Sequence, residues 1–240
     1  MSNKSVLVIT PTYNESENIK SFINKIIKKD LSLLIIDDNS PDGTSEIVRS
    51  LQNEFKNLYL IIREKKLGLG SAYKEGFSWG IDNGFKNLVE MDADFSHRMV
   101  DLDKLISSIE SADLILGSRY VNGGGSIGWD NKRKLLSKYA NLISKFVIRT
   151  KVNDLTTGFR VYTASSLKLV KYGAVKSDGY AFQIEMVSLY LNNKFNVKEV
   201  PIIFEERRLG KSKMSWKIIL EAAVLLTKIF LKNFKFNLSN

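Results

Sequence analysis

An α/β fold, with a mostly parallel central sheet covered by helices on both faces, is what the patterning of this chain specifies. Apolar β-prone runs alternate with helix-like stretches through the first half, the signature of βαβ units. The 240 residues, 44% hydrophobic and 26% charged, suffice for one substantial core. The strand-like run Val89-Glu90-Met91-Asp92-Ala93-Asp94 ends in two carboxylates, and open α/β sheets bind ligands beyond the carboxyl ends of their strands.

Strands are expected at Val6–Thr10, Leu33–Asp37, Leu58–Ile62, Leu88–Met91 and Leu114–Ser118, each a short apolar run. Helices are expected between them at Glu15–Lys28, Thr44–Phe55, Leu69–Asn83 and Leu102–Glu110. Asn14 followed three residues later by Glu17 has the form of a capping box opening the first helix. The second half is less regular. Lys132–Arg149 carries a helical stripe through Leu135, Leu136, Tyr139, Leu142, Ile143, Phe146 and Val147. Strands fit Phe159–Thr163 and Val197–Phe204, and a helix fits Tyr180–Asn192. From Trp216 the pattern is a helix followed by Lys232-Asn233-Phe234-Lys235-Phe236. Lysines interleaved with apolar residues suit either a membrane interface or a helix packed on its own domain. The expected division is a domain over residues 1–214 and an interfacial helix and tail over 215–240.

The chain has no cysteine, so disulfides and thiolate metal sites are excluded. It opens directly on Val6-Leu7-Val8-Ile9 without a signal peptide, which predicts a cytosolic compartment. A net charge of +10 calls for an anionic partner: nucleic acid, a phosphorylated substrate or acidic lipid. No nucleic-acid-binding module is visible. The run from Ile218 to Leu231 is too short to span a bilayer and is interrupted by Glu221 and Lys228.

Side chains at i and i+2 of an extended segment share one side, so Asp92 and Asp94 can face one point. Like charges there repel unless a cation lies between them, and oxygen ligands suit Mg2+ or Mn2+. Such a cation commonly holds a diphosphate. A nicotinamide cofactor is disfavoured, because Gly68-Leu69-Gly70 is followed by Tyr73 where a third glycine belongs. Tyr13 and Asp38 lie at the ends of the first and second strands, where they can stack on and orient a base and ribose. Pro41-Asp42-Gly43 is explained as a turn.

Pro11-Thr12-Tyr13-Asn14-Glu15, Ile36-Asp37-Asp38-Asn39-Ser40-Pro41-Asp42-Gly43-Thr44 and Met91-Asp92-Ala93-Asp94 occur in that order. Together they resemble an inverting family-two glycosyltransferase of GT-A fold, which is Rossmann-like. The segments 63–73, 117–120, 128–134, 154–160, 179–186 and 207–214 narrow the resemblance. They are similar to the dolichol-phosphate mannosyltransferases, especially the short form without transmembrane helices, over about Val6 to Met214.

The resemblance implies GDP-mannose as donor, dolichyl or polyprenyl phosphate as acceptor, Mg2+ or Mn2+ as cofactor, and peripheral attachment to the cytoplasmic face of a membrane. A small membrane-anchoring subunit is compatible with it. Pro11, Tyr13, Glu15, Ile36 and Asp38 would line the guanosine pocket. Asp92, Ala93 and Asp94 would contact donor and metal, with Asp94 the principal ligand. Arg119 would lie between donor and acceptor, and Arg133 and Ser137 would meet the lipid phosphate. Arg207 and Lys213 would grip the donor diphosphate. Where some relatives carry a further metal-ligating Gln, this chain has Ser96, which can ligate directly or through water. His97, the only histidine, reads as a residue that orients its neighbours, with a general base as the alternative. UDP-glucose as donor, or a non-catalytic nucleotide-sugar-binding subunit, stays open beside mannosyl transfer.

Overall fold

The computed structural model describes residues 5–206 and Thr227. The expected helix from Trp216 and the boundary between residues 214 and 215 lie outside the described residues. The elements in chain order are β1 (Val6–Thr12), α1 (Ser16–Ile27), β2 (Ser32–Asp37), α2 (Thr44–Gln52), β3 (Leu58–Ile62), α3 (Leu69–Asp82), β4 (Asn87–Glu90) and α4 (Met99–Ser107). They continue as β5 (Leu114–Ser118), β6 (Gly125–Ile127), α5 (Asn131–Ile148), β7 (Arg160–Thr163), α6 (Ala164–Leu169), α7 (Gly179–Asn192), β8 (Val197–Pro201) and β9 (Ile203–Glu205).

Seven strands form one sheet in the order β3-β2-β1-β4-β7-β5-β8. Only β7 runs against its neighbours, antiparallel to both β4 and β5. The remaining pairings are parallel, with Ile9 opposite Leu34 on β2 and Glu90 on β4. The strand order reverses at β1, so a crevice opens beyond the carboxyl ends of β1 and β4.

Strand alternation assigns the core. Leu7, Ile9, Leu34 and Ile36 face α3 and α7, while Val6, Val8, Leu33 and Ile35 face α1 and α2. Helix α3 packs unusually close to the sheet. A Cβ added at Gly76 would lie 2.5 Å from Ile9 Cγ2 and 2.9 Å from Ile36 Cδ1. A mid-helix glycine costs about 1 kcal/mol against alanine, and here it is what admits the two isoleucines.

Three expectations are corrected. The capping box does not form: Asn14 adopts φ +58, and Glu15 rather than Asn14 is the N-cap. The loop after β2 replaces it. The backbone N–H groups of Asn14, Glu15 and Ser16 donate to Ser40 Oγ (3.0 Å), Thr44 Oγ1 (3.0 Å) and Asp42 Oδ2 (2.9 Å). The strand expected over Val197–Phe204 is two strands. Pro201 is tolerated because β8 is the sheet's edge strand; Ile202 N still donates to the Ser118 carbonyl at 3.0 Å, and beyond it the chain leaves β5 to pair β9 with β6. Finally, β4 stops at Glu90, so Asp92 and Asp94 lie on a loop rather than an extended strand.

Candidate active site

The crevice floor is built from strand ends. Thr12 at the end of β1 donates to Asp37 Oδ1 (2.7 Å), and Ser40 donates to Asp37 through both N (2.8 Å) and Oγ (2.6 Å). This locks the β1 and β2 loops to each other. Pro11 at the end of β1 and Tyr13 and Glu15 on the loop after it are half-buried, where a base could meet them. The Tyr13 ring carries Lys66 Nζ 4.1 Å from its centroid, a cation–π contact on a stacking surface.

Asp38 and Ile36 are both engaged within the protein. The Asp38 carboxylate is paired with Arg63, whose guanidinium also reaches Ser71 Oγ (2.7 Å) and the Gly68 carbonyl (3.0 Å). Asp38 thus ties β2 to the start of α3 before any ligand arrives. Ile36 is fully buried against α3, so its side chain supports the floor and forms no pocket wall. Alternation places it on the core side of β2.

The loop beyond β4 holds the acid pair. Asp94 is buried, and its Oδ1 accepts from Ser96 N (3.0 Å) and Ser96 Oγ (2.6 Å). Phe95 between them takes φ +61, so a tight turn aims Asp94. Ala93 is buried beneath, and Asp92 is half-buried. The Ser96 hydroxyl is directed at Asp94, which makes orienting that carboxylate its visible work. His97 Nδ1 accepts from Asp92 N (3.3 Å), and its ring stacks on Phe159 at 4.6 Å. A buried imidazole held this way orients the loop.

Among the described residues no group of three or more His, Asp or Glu side chains could hold a metal ion. Two carboxylates still fit a hard cation of the Mg2+ kind, which takes one or two from the protein and the rest of its shell from phosphates and water.

Phe204 on β9 joins this loop to a basic lip. Its ring lies 5.6 Å from His97, 5.2 Å from Trp129 and 5.7 Å from the Arg119 guanidinium carbon. Arg119 is buried and makes a bidentate pair with Asp154, Nε to Oδ2 and Nη2 to Oδ1, each at 2.7 Å. Burial opposes the charge on Arg119, but Asp154 outweighs it and raises the guanidinium pKa above its ordinary value. Burial likewise pushes Asp154 up, and Arg119 more than reverses this, so the carboxyl titrates below its usual range. Arg119 Nη2 also donates to Thr156 Oγ1 (2.8 Å), which accepts from Asn141 on α5 (3.0 Å).

Arg133 lies over the Trp129 ring at 4.4 Å and reaches Glu206 at 3.1 Å. Its helix is capped by Asp130, which accepts from Arg133 N at 2.7 Å. Ser137 accepts from the Tyr120 hydroxyl at 2.7 Å. The two arginine pairs differ in kind. Arg119–Asp154 is buried on both sides, and breaking it would cost several kcal/mol. Arg133–Glu206 is partly exposed and worth roughly 0–1 kcal/mol. Of the lip's two arginines, Arg133 is therefore the one free to change partners.

The structure thus links His97 of the loop that carries Asp92, Ala93, Asp94 and Ser96 to Arg119 through Phe204, and to Arg133 through Trp129, with Ser137 bonded to Tyr120 beside Arg119. Arg207 and Lys213 lie outside the described residues. Sequence reasoning assigned no role to Arg63, Trp129, Asn141, Asp154 or Phe204. Arg63, Trp129 and Asp154 fall inside the segments 63–73, 128–134 and 154–160 that carry the resemblance, which is the available signal.

A match to the family described as Glycosyl transferase family 2 spans residues 7–170. The chain belongs to that family. Polyprenol monophosphomannose synthase of Mycolicibacterium smegmatis is 43% identical over 90% of this chain and 83% of its own length. Undecaprenyl-phosphate mannosyltransferase of Micrococcus luteus is 39% identical over 93% of each. Among solved structures, glucosyl-3-phosphoglycerate synthase of Mycobacterium tuberculosis, in complex with Mn2+, UDP-glucose and phosphoglyceric acid, superposes with TM-score 0.67 at 16% identity. That match covers 94% of this chain and 80% of the other. A mannosyltransferase of Pyrobaculum calidifontis in complex with GDP-Man and Mn2+ gives TM-score 0.56 at 16% identity, over 96% and 64%. The fold is therefore that of a GT-A glycosyltransferase.

Proposed function

We propose that this family-two enzyme transfers mannose from GDP-mannose to dolichyl or another polyprenyl phosphate, with inversion at the anomeric carbon. What supports this reading is the chain of contacts through Phe204, which joins His97 of the acid loop to Arg119 and, through Trp129, to Arg133 of the basic lip. One half suits a nucleotide diphosphate, the other a phosphate acceptor. The identities of 43% and 39% to two polyprenyl-phosphate mannosyltransferases support the same substrates.

An acceptor phosphate with its second pKa about 6 is largely dianionic at neutral pH. One of its oxygens attacks the anomeric carbon, the bond from that carbon to the β-phosphate oxygen breaks, and GDP leaves with the electron pair. An α-linked donor gives a β-linked lipid phosphate. No proton must be removed from the nucleophile, which agrees with His97 being held in the loop as an orienting ring.

The obstacle is the approach of two anions. Arg133 would exchange Glu206 for the acceptor phosphate, beside Ser137. Arg119, whose charge Asp154 balances, would offer its remaining Nη1 donors at the lip in a position fixed by that pair. Asp92 and Asp94 would hold a divalent cation, Mg2+ or Mn2+, which when bound neutralises charge on the departing diphosphate. Pro11, Tyr13 and Glu15 would meet the guanosine, and Arg207 and Lys213 the diphosphate. No described helix is long and apolar enough to cross a membrane. The enzyme would reach its lipid acceptor from a membrane surface, on the cytoplasmic face, with or without a small anchoring subunit.

The deciding experiment is radiolabelled transfer to polyprenyl phosphate from GDP-mannose and, in parallel, from UDP-glucose. Mannosyl lipid formed only from GDP-mannose is expected. Glucosyl lipid from UDP-glucose would replace the donor assignment, and donor binding without transfer would indicate a binding subunit.

A further inference from the structure

Helix α5 is amphipathic with its polar side turned inward. Its buried residues are Asn141 and Ser144. Asn141 donates to Thr156 and the Ser137 carbonyl and accepts from Leu155 N, while Ser144 donates to the Ala140 carbonyl. Leu135, Leu136, Tyr139, Leu142, Ile143 and Phe146 face outward, with exposures from 48% at Leu136 to 75% at Phe146. At roughly 100° per residue they fill an arc of about 120° opposite the two buried polar residues. A contiguous apolar face of this kind marks a binding surface.

Charge identifies what covers it. The helix carries Lys132, Arg133, Lys134, Lys138 and Lys145 and no acidic residue. A second copy packed on this face would bring two basic sets together. Residues 207–240 carry eight Lys and Arg against one acid, Glu221, so the chain's own tail is like-charged as well. The complementary occupant is apolar and anionic. The face also runs into a cavity of about 550 Å3 lined by Arg119, Tyr120, Lys134, Leu135 and Lys138, a passage from helix surface to basic lip.

We infer that α5 lies in the interface of a membrane containing anionic lipid, its apolar arc among the acyl chains and its lysines at the headgroups. Resting on the polyprenyl-phosphate reading, this places the acceptor's phosphate beside Arg119 and Arg133 while its tail stays in the bilayer. It adds a membrane contact in the middle of the catalytic domain to the tail after Trp216, where the sequence suggested one.

The test uses the full-length chain, vesicles of phosphatidylcholine, and vesicles that also contain phosphatidylglycerol. The double variant Leu142→Glu/Phe146→Glu is expected to bind the anionic vesicles at least roughly tenfold more weakly than wild type. Its thermal midpoint, sedimentation coefficient and GDP-mannose binding heat should be unchanged. Because the chain has no cysteine, Phe146→Cys accepts an environment-sensitive fluorophore at one site, and its emission should shift blue with anionic vesicles. Undiminished vesicle binding by the double variant, or no shift while the labelled protein sediments with vesicles, overturns the inference. So does a lost dimer, which would make a second copy the occupant. A lowered midpoint without lipid would assign the face to the chain's own tail. Vesicle binding through α5 without mannosyl transfer would leave this inference standing and remove the proposed function; transfer in detergent without a shift would do the reverse.

Discussion

Arg119 and Asp154, separated by 35 residues in sequence, meet through a two-pronged ion pair with both N–O distances at 2.7 Å. Asp154 also accepts from the Arg119 backbone N–H at 3.0 Å, and Glu199 accepts from the backbone N–H of Asn153 and Asp154 at 2.9 Å each. The arginine at the lip is therefore a fixed charge whose position is set from below.

Replacing Asp154 by Asn should leave a buried guanidinium without its counter-charge. A loss of about 3–5 kcal/mol is expected, measured as a lower urea midpoint at pH 7. The pH dependence follows from the direction of the shift. Asp154 titrates below its usual 3.8 in the folded state, so its contribution is complete above that value and is lost as pH falls through the folded value. Wild type should lose stability in that acid window, and Asp154→Asn should lose less. Parallel acid profiles for the two proteins would contradict the assignment.

Asp94→Asn removes a charge while keeping a side-chain oxygen that can accept from Ser96. Divalent-dependent transfer should fall by roughly 10²–10³-fold, the scale of losing one well-placed electrostatic group, with the thermal midpoint nearly unchanged. EDTA should stop the native enzyme, and Mg2+ or Mn2+ should restore it. Full transfer by a folded Asp94→Asn protein would remove Asp94 from the metal site.

Much of this architecture is legible in sequence because apolar runs of four to seven residues report buried strands whatever their partners. The acid loop and its place at a strand's end are legible for the same reason. What a stripe faces is not. The apolar residues of α5 are evident by spacing, but they point outward because Asn141 is bound to Thr156 and Leu155, contacts 14 and 15 residues away. Long-range pairing likewise hides Arg63 from Asp38 and Phe204 from His97. The resemblance names Ile36 among the pocket residues, and its alternation on β2 adds that the side chain is buried in the core.

Two glycines test the close packing of α3. In Gly76→Ala the new methyl would press on Ile9 and Ile36, both β-branched and unable to swing aside. Overpacking of about 1–3 kcal/mol should outweigh the gain of about 1 kcal/mol in helix propensity. At Gly173 nothing lies within 4 Å of the same added atom. Gly173→Ala should therefore be neutral or stabilise by up to about 1 kcal/mol. Urea denaturation of both variants measures the contrast, and equal effects would mean that α3 can shift away from the sheet at little cost.

Arg133→Ala separates acceptor handling from donor handling. The residue rests on Trp129 and bonds a half-exposed Glu206, so its loss should cost stability only about 0–1 kcal/mol. Its proposed partner in catalysis is a dianionic phosphate, for which a charged hydrogen bond is worth about 1.5–3 kcal/mol. The KM for polyprenyl phosphate should therefore rise roughly 10- to 150-fold, with the KM for GDP-mannose within a factor of about two. Glu206→Gln should act in the opposite sense, since Arg133 would no longer be held away from the acceptor, and KM for the lipid should fall. Titrating each variant against both substrates reads the split directly. A rise in KM confined to GDP-mannose would move Arg133 to the donor side, and equal rises for both would make the residue a support for the whole lip.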